Sequence, residues 1–344
     1  MKKTILLTGA AGFIGSNFLR YMFDKYDDYS FIVLDALTYA GNQQNIPDKI
    51  QNSGRYEFWH GSVTNADLVD ELTEKSSLIV HFAAESHVAR SIYDDSKFFA
   101  TDVIGTQTMM NALTKHKDTV ERFIHISTSE VYGTAEGEVM DEDHPLNPRS
   151  PYAGAKAGAD RLVYSYWHTY DLPATIIRPF NNYGSHQHLE KMMPRFITSA
   201  LKNEPLTVHG QGLAQRDWLF VDDHCEALDK ALHLQDFNTI RQQVINLGTG
   251  KATSVMDIAK MILKITNKPD DMLKYIFDRP GQVDKHISST EKAQKLLGWT
   301  AKTSLEDGVS KVLEWYKNNE GWWSEIEWMR EVPIHTEDGK IEMY

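Results

Sequence analysis

The chain has 344 residues, 41% of them apolar, which is length enough for one large or two modest domains, and no apolar run approaches the roughly 18 residues that span a bilayer. A formal net charge of −12 argues against nucleic acid as a partner, so any phosphate must be held by local donors rather than by a global positive field. The single cysteine, Cys225, excludes an internal disulfide, fits a reducing cytoplasm and has no neighbouring Cys cluster, so no metal is expected. The amino terminus carries no cleavage pattern behind its first strand-length run, and no signal peptide is read there.

Ile5-Leu6-Leu7 predicts a buried strand that runs into Thr8-Gly9-Ala10-Ala11-Gly12-Phe13-Ile14-Gly15 and then a helix over Ser16 to Tyr26. Strand before and helix after give the Gly-x-x-Gly-x-x-Gly spacing its meaning. Gly9 permits the tight turn, Gly12 lets backbone amides approach a pyrophosphate at the helix N-terminus, and Gly15 lets the helix pack closely. A second strand, Phe31 to Leu34, ends at Asp35, twenty residues past Gly15. A carboxylate there accepts from the adenosine ribose hydroxyls and repels a 2′-phosphate, which favours NAD and leaves NADP open through nearby lysines.

Further strands are predicted at Tyr56 to Trp59, leading to Gly61-Ser62-Val63, and at Leu78 to Phe82, leading to Ala83-Ala84-Glu85-Ser86-His87. The small Ala83 and Ala84 allow a cofactor to come close. Helical patterns cover Ala66 to Lys75 and Lys97 to Lys115. This alternation predicts an α/β fold with a doubly wound parallel sheet. After a strand at Phe123 to Ile126 come Ser127-Thr128-Ser129-Glu130-Val131-Tyr132-Gly133, small polar side chains and a carboxylate at a carboxyl end. Ser150 as N-cap and Pro151 in the first turn open a helix that sets Tyr152 and Lys156 four apart on one face. A nearby ammonium favours phenolate, so Lys156 is expected to lower the pKa of Tyr152 and make it a usable base. Beyond a strand at Ala174 to Ile177 the pattern becomes irregular, with Lys191, Arg195, Arg216, Asn246 and Arg279 at loop positions that suit a diphosphate and a base.

Together these motifs resemble the extended short-chain dehydrogenase/reductase family and, within it, the nucleotide-sugar 4,6-dehydratase branch. The matching stretches are Thr8 to Gly15, Asp35 to Asn42, Ala83 to Ile92, Thr128 to Gly133, Tyr152 to Lys156, Asn181 to Gly184, Glu190-Lys191, Arg216 to Trp218 and Asp278 to Gly281. The resemblance implies a Rossmann domain over 1–178, with parts of 210–250 returning to it, a smaller mixed substrate domain over 179–330 and a tail over 331–344. It implies that Gly9, Gly12, Phe13, Ile14, Gly15, Asp35, Ser62, Val63, Ala83, Ala84, Tyr152 and Lys156 bind the cofactor. Tyr152, helped by Lys156 and Thr128, would take the O4 proton of a nucleoside diphosphate sugar while C4 hydride leaves. Glu130 would take the C5 proton, water would leave from C6, and the hydride would return there. Ser86, His87, Asn182, Lys191, Arg216, Asn246 and Arg279 would hold the substrate.

Where the dTDP-glucose enzymes carry an aspartate between Thr and Glu, this chain has Ser129, a very weak acid that can position a group or relay a proton through water but does not match a carboxylic acid as donor; Glu130, once protonated from C5, is the other candidate to deliver the proton. Ala89 and Gln282 replace an expected aspartate and histidine. Arg178-Pro179-Phe180, Ser62 and Asp102 are further departures. The lost carboxylates make room that an N-acetyl group could use, so UDP-N-acetylglucosamine is the first expectation, barely ahead of dTDP-glucose. A UDP-glucuronate decarboxylase, a 4-epimerase and a non-catalytic NAD-sensing protein remain as alternatives. A homodimer or higher homo-oligomer is expected, through the helices at about Lys97 to Lys115 and Pro151 to Tyr170. No function is read for the aromatic, charged tail from Trp322-Trp323 to Tyr344.

Overall fold

The computed structural model describes residues 3–277, 281–335 and 340–343. In chain order its strands are β1 (Lys3–Thr8), β2 (Tyr29–Asp35), β3 (Tyr56–His60), β4 (Leu78–His81), β5 (Arg122–Ile126), β6 (Ala174–Pro179), β7 (Asn181–Tyr183), β8 (Leu206–His209), β9 (Gln215–Phe220), β10 (Val244–Leu247), β11 (Ala252–Ser254), β12 (Leu273–Ile276), β13 (Pro333–His335) and β14 (Ile341–Met343). Seven form one parallel sheet in the order β10-β6-β5-β4-β1-β2-β3. Its central strands are buried on both faces, which is why they read as short unbroken apolar runs rather than alternations.

The strand period of two splits each run between two cores. Ile5 and Leu7 join the layer containing the helices Phe13–Lys25 and Val221–Leu232. Leu6 faces the layer built by the helices Ala66–Glu74, Thr106–Lys115 and Pro151–Tyr170. Chain direction reverses its lateral walk at β1, which lies between β2 and β4, so the carboxyl ends there open into a cleft.

The smaller unit has a three-stranded sheet β11-β9-β7 and a parallel pair β12-β8. Its own core gathers Tyr183, Phe196, Trp218, Ile258, Val312 and Trp323. The helix Val221–Leu232 packs into the core of the seven-stranded sheet and β10 pairs with β6 in it, whereas β9 belongs to the smaller sheet. A second return was not legible: Ala293, Leu297 and Trp299 also pack into the first core.

One predicted helix is interrupted. Lys97 to Lys115 contains a π-helical stretch, Phe99–Gly105, before the α-helix Thr106–Lys115. The widened turn holds Asp102 buried, with Oδ1 accepting from the Glu85 N–H at 2.8 Å. The tail is not a loose appendage. Strands β13 and β14 pair antiparallel, and Val332 is buried against Ala89 and Phe277. Cys225 is buried and free, as expected. Among the described residues no helix is long and apolar enough to cross a membrane.

Candidate active site

At the carboxyl end of β1 the backbone of Gly9 takes φ +70°, and a Cβ there would lie 2.7 Å from the Cα and N of Ala83. Only glycine fits that turn and that contact at once. A Cβ on Gly15 would meet Ala10 Cα at 2.7 Å, so this glycine seats the helix on its own preceding turn rather than on the sheet. The helix Phe13–Lys25 starts at Gly12 with no side-chain cap and no acid in its first turn. Its leading N–H groups and dipole therefore face outward toward an anion.

Asp35 closes the turn from β2. Its Oδ2 accepts from Ala11 N–H and its Oδ1 from Leu37 N–H, both at 2.8 Å. Burial pushes its pKa up and these two amides pull it back. A carboxylate has about four acceptor sites, so two remain for ribose hydroxyls. Ala83 N–H bonds Thr8 Oγ1 at 3.2 Å, and Val63 is buried beneath, while Ser62 spends its hydroxyl on Thr64 Oγ1 at 2.8 Å. Glycine cradle, uncapped helix end and ribose-directed carboxylate fit a dinucleotide.

The reactive turn follows β5. Thr128 caps the 3-10 turn Ser129–Tyr132, its Oγ1 accepting from Glu130 N–H at 3.2 Å. Ser127 donates to Asp160 Oδ2 at 2.7 Å, and Asp160 also receives Arg178 Nε at 2.9 Å and a second Arg178 nitrogen at 2.8 Å. Arg178 is fully buried and donates to Tyr132 Oη at 2.8 Å, so this departure from the dTDP-glucose branch braces the turn from behind. Ser150 caps the next helix through Ala153 N–H at 3.2 Å, with Pro151 in its first turn, as read from the sequence.

Tyr152 and Lys156 are both buried on that helix. The expected effect of Lys156 on Tyr152 is not what dominates. Burial pushes the phenol up, the charges of Asp102 and Glu130 push it further, and a hydrogen bond with Thr128 pulls it down. Lys156 directs its Nζ to the Ile126 carbonyl at 2.7 Å; burial lowers its pKa, opposed by the Asp102 and Asp160 charges. The ammonium is tied to main chain and shared with two acids, which dilutes what it can do for the phenol. Asp102 itself is pushed up to about 7 by burial, against Lys156 and the Glu85 N–H. Its Oδ2 has no hydrogen-bond partner among the described residues.

In front of these groups lies a cavity of about 730 Å³ between the two units. Phe13 and Ile14 line its cofactor side; Thr128, Ser129, Glu130 and Tyr152 line its floor. Ser86, His87, Asn182, Lys191 and Arg216 line it. Two expectations need correction. Asn246 is fully buried away from the cavity, accepting from Tyr132 Oη at 2.7 Å and donating to the Met140 carbonyl at 3.1 Å. Arg195 donates to the Arg330 carbonyl at 3.0 Å and does not line the cavity. Arg279 lies outside the described residues. Gln187, Glu190, His209 and Trp218 also line the wall, and Glu190 is fixed by Arg90 at 2.6 Å. Glu190 and Trp218 could have been singled out by their place in the matching stretches; Gln187 and His209 carry no local signal.

A family model described as GDP-mannose 4,6 dehydratase matches residues 6–312. The chain belongs to that family. It is thereby one of the extended short-chain dehydrogenases/reductases, with the seven-stranded parallel sheet and smaller mixed unit expected of them. The low-salt glycan biosynthesis protein Agl12 of Haloferax volcanii is 42% identical over 91% of this chain and 98% of that protein. A trifunctional enzyme of Arabidopsis thaliana, whose activities include UDP-glucose 4,6-dehydratase, is 38% identical over 94% of this chain and 49% of its own length. A crystal structure of dTDP-glucose 4,6-dehydratase from Bacillus anthracis in complex with NAD superposes with a TM-score of 0.86 at 36% identity, covering 94% of this chain and 99% of that one.

Proposed function

We propose that the chain is an NAD-dependent nucleotide-sugar 4,6-dehydratase acting on a pyrimidine nucleoside diphosphate glucose, dTDP-glucose or UDP-glucose. The observation that carries this reading is Glu130, a carboxylate on the same cavity floor as Thr128 and Tyr152. Hydride transfer at C4 needs only the phenol and its helpers; a second base beside them serves a second proton. NAD, when bound, supplies the reversible hydride acceptor. Tyr152, hydrogen-bonded by Thr128, takes the O4 proton. The resulting 4-ketone acidifies C5, Glu130 removes that proton, and the C6 hydroxyl departs as water. Lys191, which donates to the Ser86 carbonyl at 2.5 Å, and Arg216 stand on the wall where a diphosphate would lie.

Glucose is placed ahead of N-acetylglucosamine because the 4,6-dehydratase activities named among the relatives include those on dTDP-glucose and UDP-glucose. Ala89 lines the cavity, with Val332 and Phe277 packed beside it. Pairing of two copies through the helices that flank Tyr152 is supported by exposed Phe99, Ile104, Tyr164 and Tyr170, and sedimentation at working concentration tests it. Buried, free Cys225 is compatible with a reducing cytoplasm.

The deciding experiment incubates the purified protein with dTDP-glucose, UDP-glucose, UDP-N-acetylglucosamine and UDP-glucuronate in turn. Loss of one water from a glucose nucleotide is the expected result. Loss of carbon dioxide from UDP-glucuronate, or isomerisation without mass change, would replace the reading with a decarboxylase or an epimerase. Glu130→Gln should stop a dehydratase and leave an epimerase largely active.

A further inference from the structure

His286 stands 157 residues along the chain from Ser129, yet the fold brings the two together. Its Nε2 lies 2.7 Å from the Gly133 carbonyl oxygen. A carbonyl only accepts, so Nε2 carries the proton and Nδ1 is left as an acceptor. That Nδ1 is 3.4 Å from Ser129 Oγ and 3.9 Å from Glu130 Oε1. Ser129 and Glu130 line the cavity, whereas His286 is fully buried behind them. The backbone N–H of His286 donates to the Gln215 carbonyl at 3.0 Å, and the ring makes an edge contact with Phe180. Burial keeps it neutral, with its pKa down to about 4; Arg216 and His144 push in the same direction, and the Glu130 charge and the Gly133 carbonyl oppose them. At rest, then, Ser129 donates its hydroxyl hydrogen to Nδ1.

We propose that His286 carries the proton that Glu130 takes from C5 to Ser129, which delivers a proton to the departing C6 hydroxyl. This rests on the dehydratase reading. The C5–H bond breaks, its proton goes to Glu130, and its electron pair forms the C5=C6 bond as the C6–O bond breaks toward oxygen. The proton passes from Glu130 to His286 Nδ1. A protonated Nδ1 can no longer accept, so Ser129 must accept from it and turn its own hydrogen into the cavity. Nδ1 then gives its proton to Ser129 Oγ as the serine proton joins the leaving oxygen. One water departs, and carboxylate, imidazole and hydroxyl all return to their starting states. Serine alone is too weak an acid for this; an imidazolium behind it supplies the acidity. His286 is thus a positioning and relay residue that acts through Ser129.

The test uses the NAD-loaded protein in D2O with dTDP-glucose and UDP-glucose. His286→Gln retains an amide N–H for Gly133 but cannot take up a proton. Water elimination should fall about 100-fold in kcat, with KM changed less than about threefold, the size of effect expected when ground-state binding is untouched. Recovered substrate should gain deuterium at C5 well beyond wild type, because Glu130, with a side chain 16% exposed, still removes and returns that proton. Ser129→Ala should give the same signature and carries the test if the His286 variant does not fold. Ser129→Asp, which puts a carboxylic acid at the leaving group directly, should recover at least part of the elimination lost in His286→Gln. Near-wild-type elimination in both single variants, lost elimination without C5 exchange, or no recovery by Ser129→Asp each overturns the relay while leaving the dehydratase standing. Absence of water loss from either sugar with the wild-type protein overturns both.

Discussion

At the carboxyl ends of β1 and β2 the groups facing a ligand are mostly main chain: the Gly9 turn, the uncapped amides after Gly12, and a carboxylate already held by two backbone N–H groups. At the carboxyl end of β5 they are side chains drawn from distant parts of the chain: Thr128 and Glu130 on the turn, Tyr152 on the next helix, Arg216 from the smaller sheet and His286 from behind. The first end is set by local stereochemistry and suits one invariant partner. The second is set by tertiary placement, so single substitutions there can redirect chemistry without disturbing the cofactor cradle.

The comparison breaks most visibly at Tyr152. Tyr152→Phe should lower kcat by about 10³–10⁴-fold, leaving cofactor binding by titration and the melting curve near wild type; retained turnover would remove the phenol from the mechanism. Next in size is the brace under the reactive turn. Asp160→Ala leaves Arg178 buried and unpaired and should cost about 3–4 kcal/mol in denaturant unfolding. Arg178 holds the Asp160 carboxyl well below the usual carboxylate range, so its contribution is present at neutral pH and fades as pH falls through that depressed pKa.

At the cofactor end, Gly9→Ala forces a positive φ and a contact with Ala83 backbone; about 1–3 kcal/mol of stability should go, and NAD affinity with it, measured by the same unfolding assay and by calorimetry. The smallest effect concerns Asp102. Its folded pKa is raised, so it favours folding below the ordinary aspartate pKa and that contribution is lost as pH rises through about 7. Glu85, Lys156 and Tyr152 are the ionisable groups around it. Asp102→Asn should therefore gain relative to wild type as pH rises from 4 to 7, by an amount on the order of 1–2 kcal/mol. A pH-independent difference would mean the carboxyl is already ionised in the fold.

The same division governs what could be read from the sequence. Gly9, Asp35, Ser150 and Pro151 announce themselves because a turn, a strand end and a helix cap are decided within a few residues, and the structure places each as read. Tyr152 and Lys156 were legible as a pair but not in their energetics, since Asp160 one turn along the same helix shares Lys156 with Asp102, which the separate π-helical stretch brings in. Asn246 was read at a loop position suited to a base; it lies in β10 instead, where Tyr132 and Met140 claim its side chain. Arg178 read as a substrate-branch marker and proved to be an internal counter-ion for Asp160. The π turn at Phe99–Gly105, the second return at Ala293 to Trp299, and His286 behind Ser129 all depend on partners more than a helix away in sequence, where periodicity is silent.

The contact of the Gly9 turn with Ala83 has a thermodynamic corollary. The turn, Asp35 and the end of β4 are already mutually locked by Leu34, Ala11 and Thr8 hydrogen bonds before any nucleotide arrives. The loop's conformational entropy is surrendered when the chain folds, not when the cofactor docks. Association then has little left to order, and the free energy of each phosphate contact appears almost undiminished as affinity. A protein that must hold one nicotinamide through oxidation, elimination and reduction in a single visit of the sugar gains from such a rigid seat.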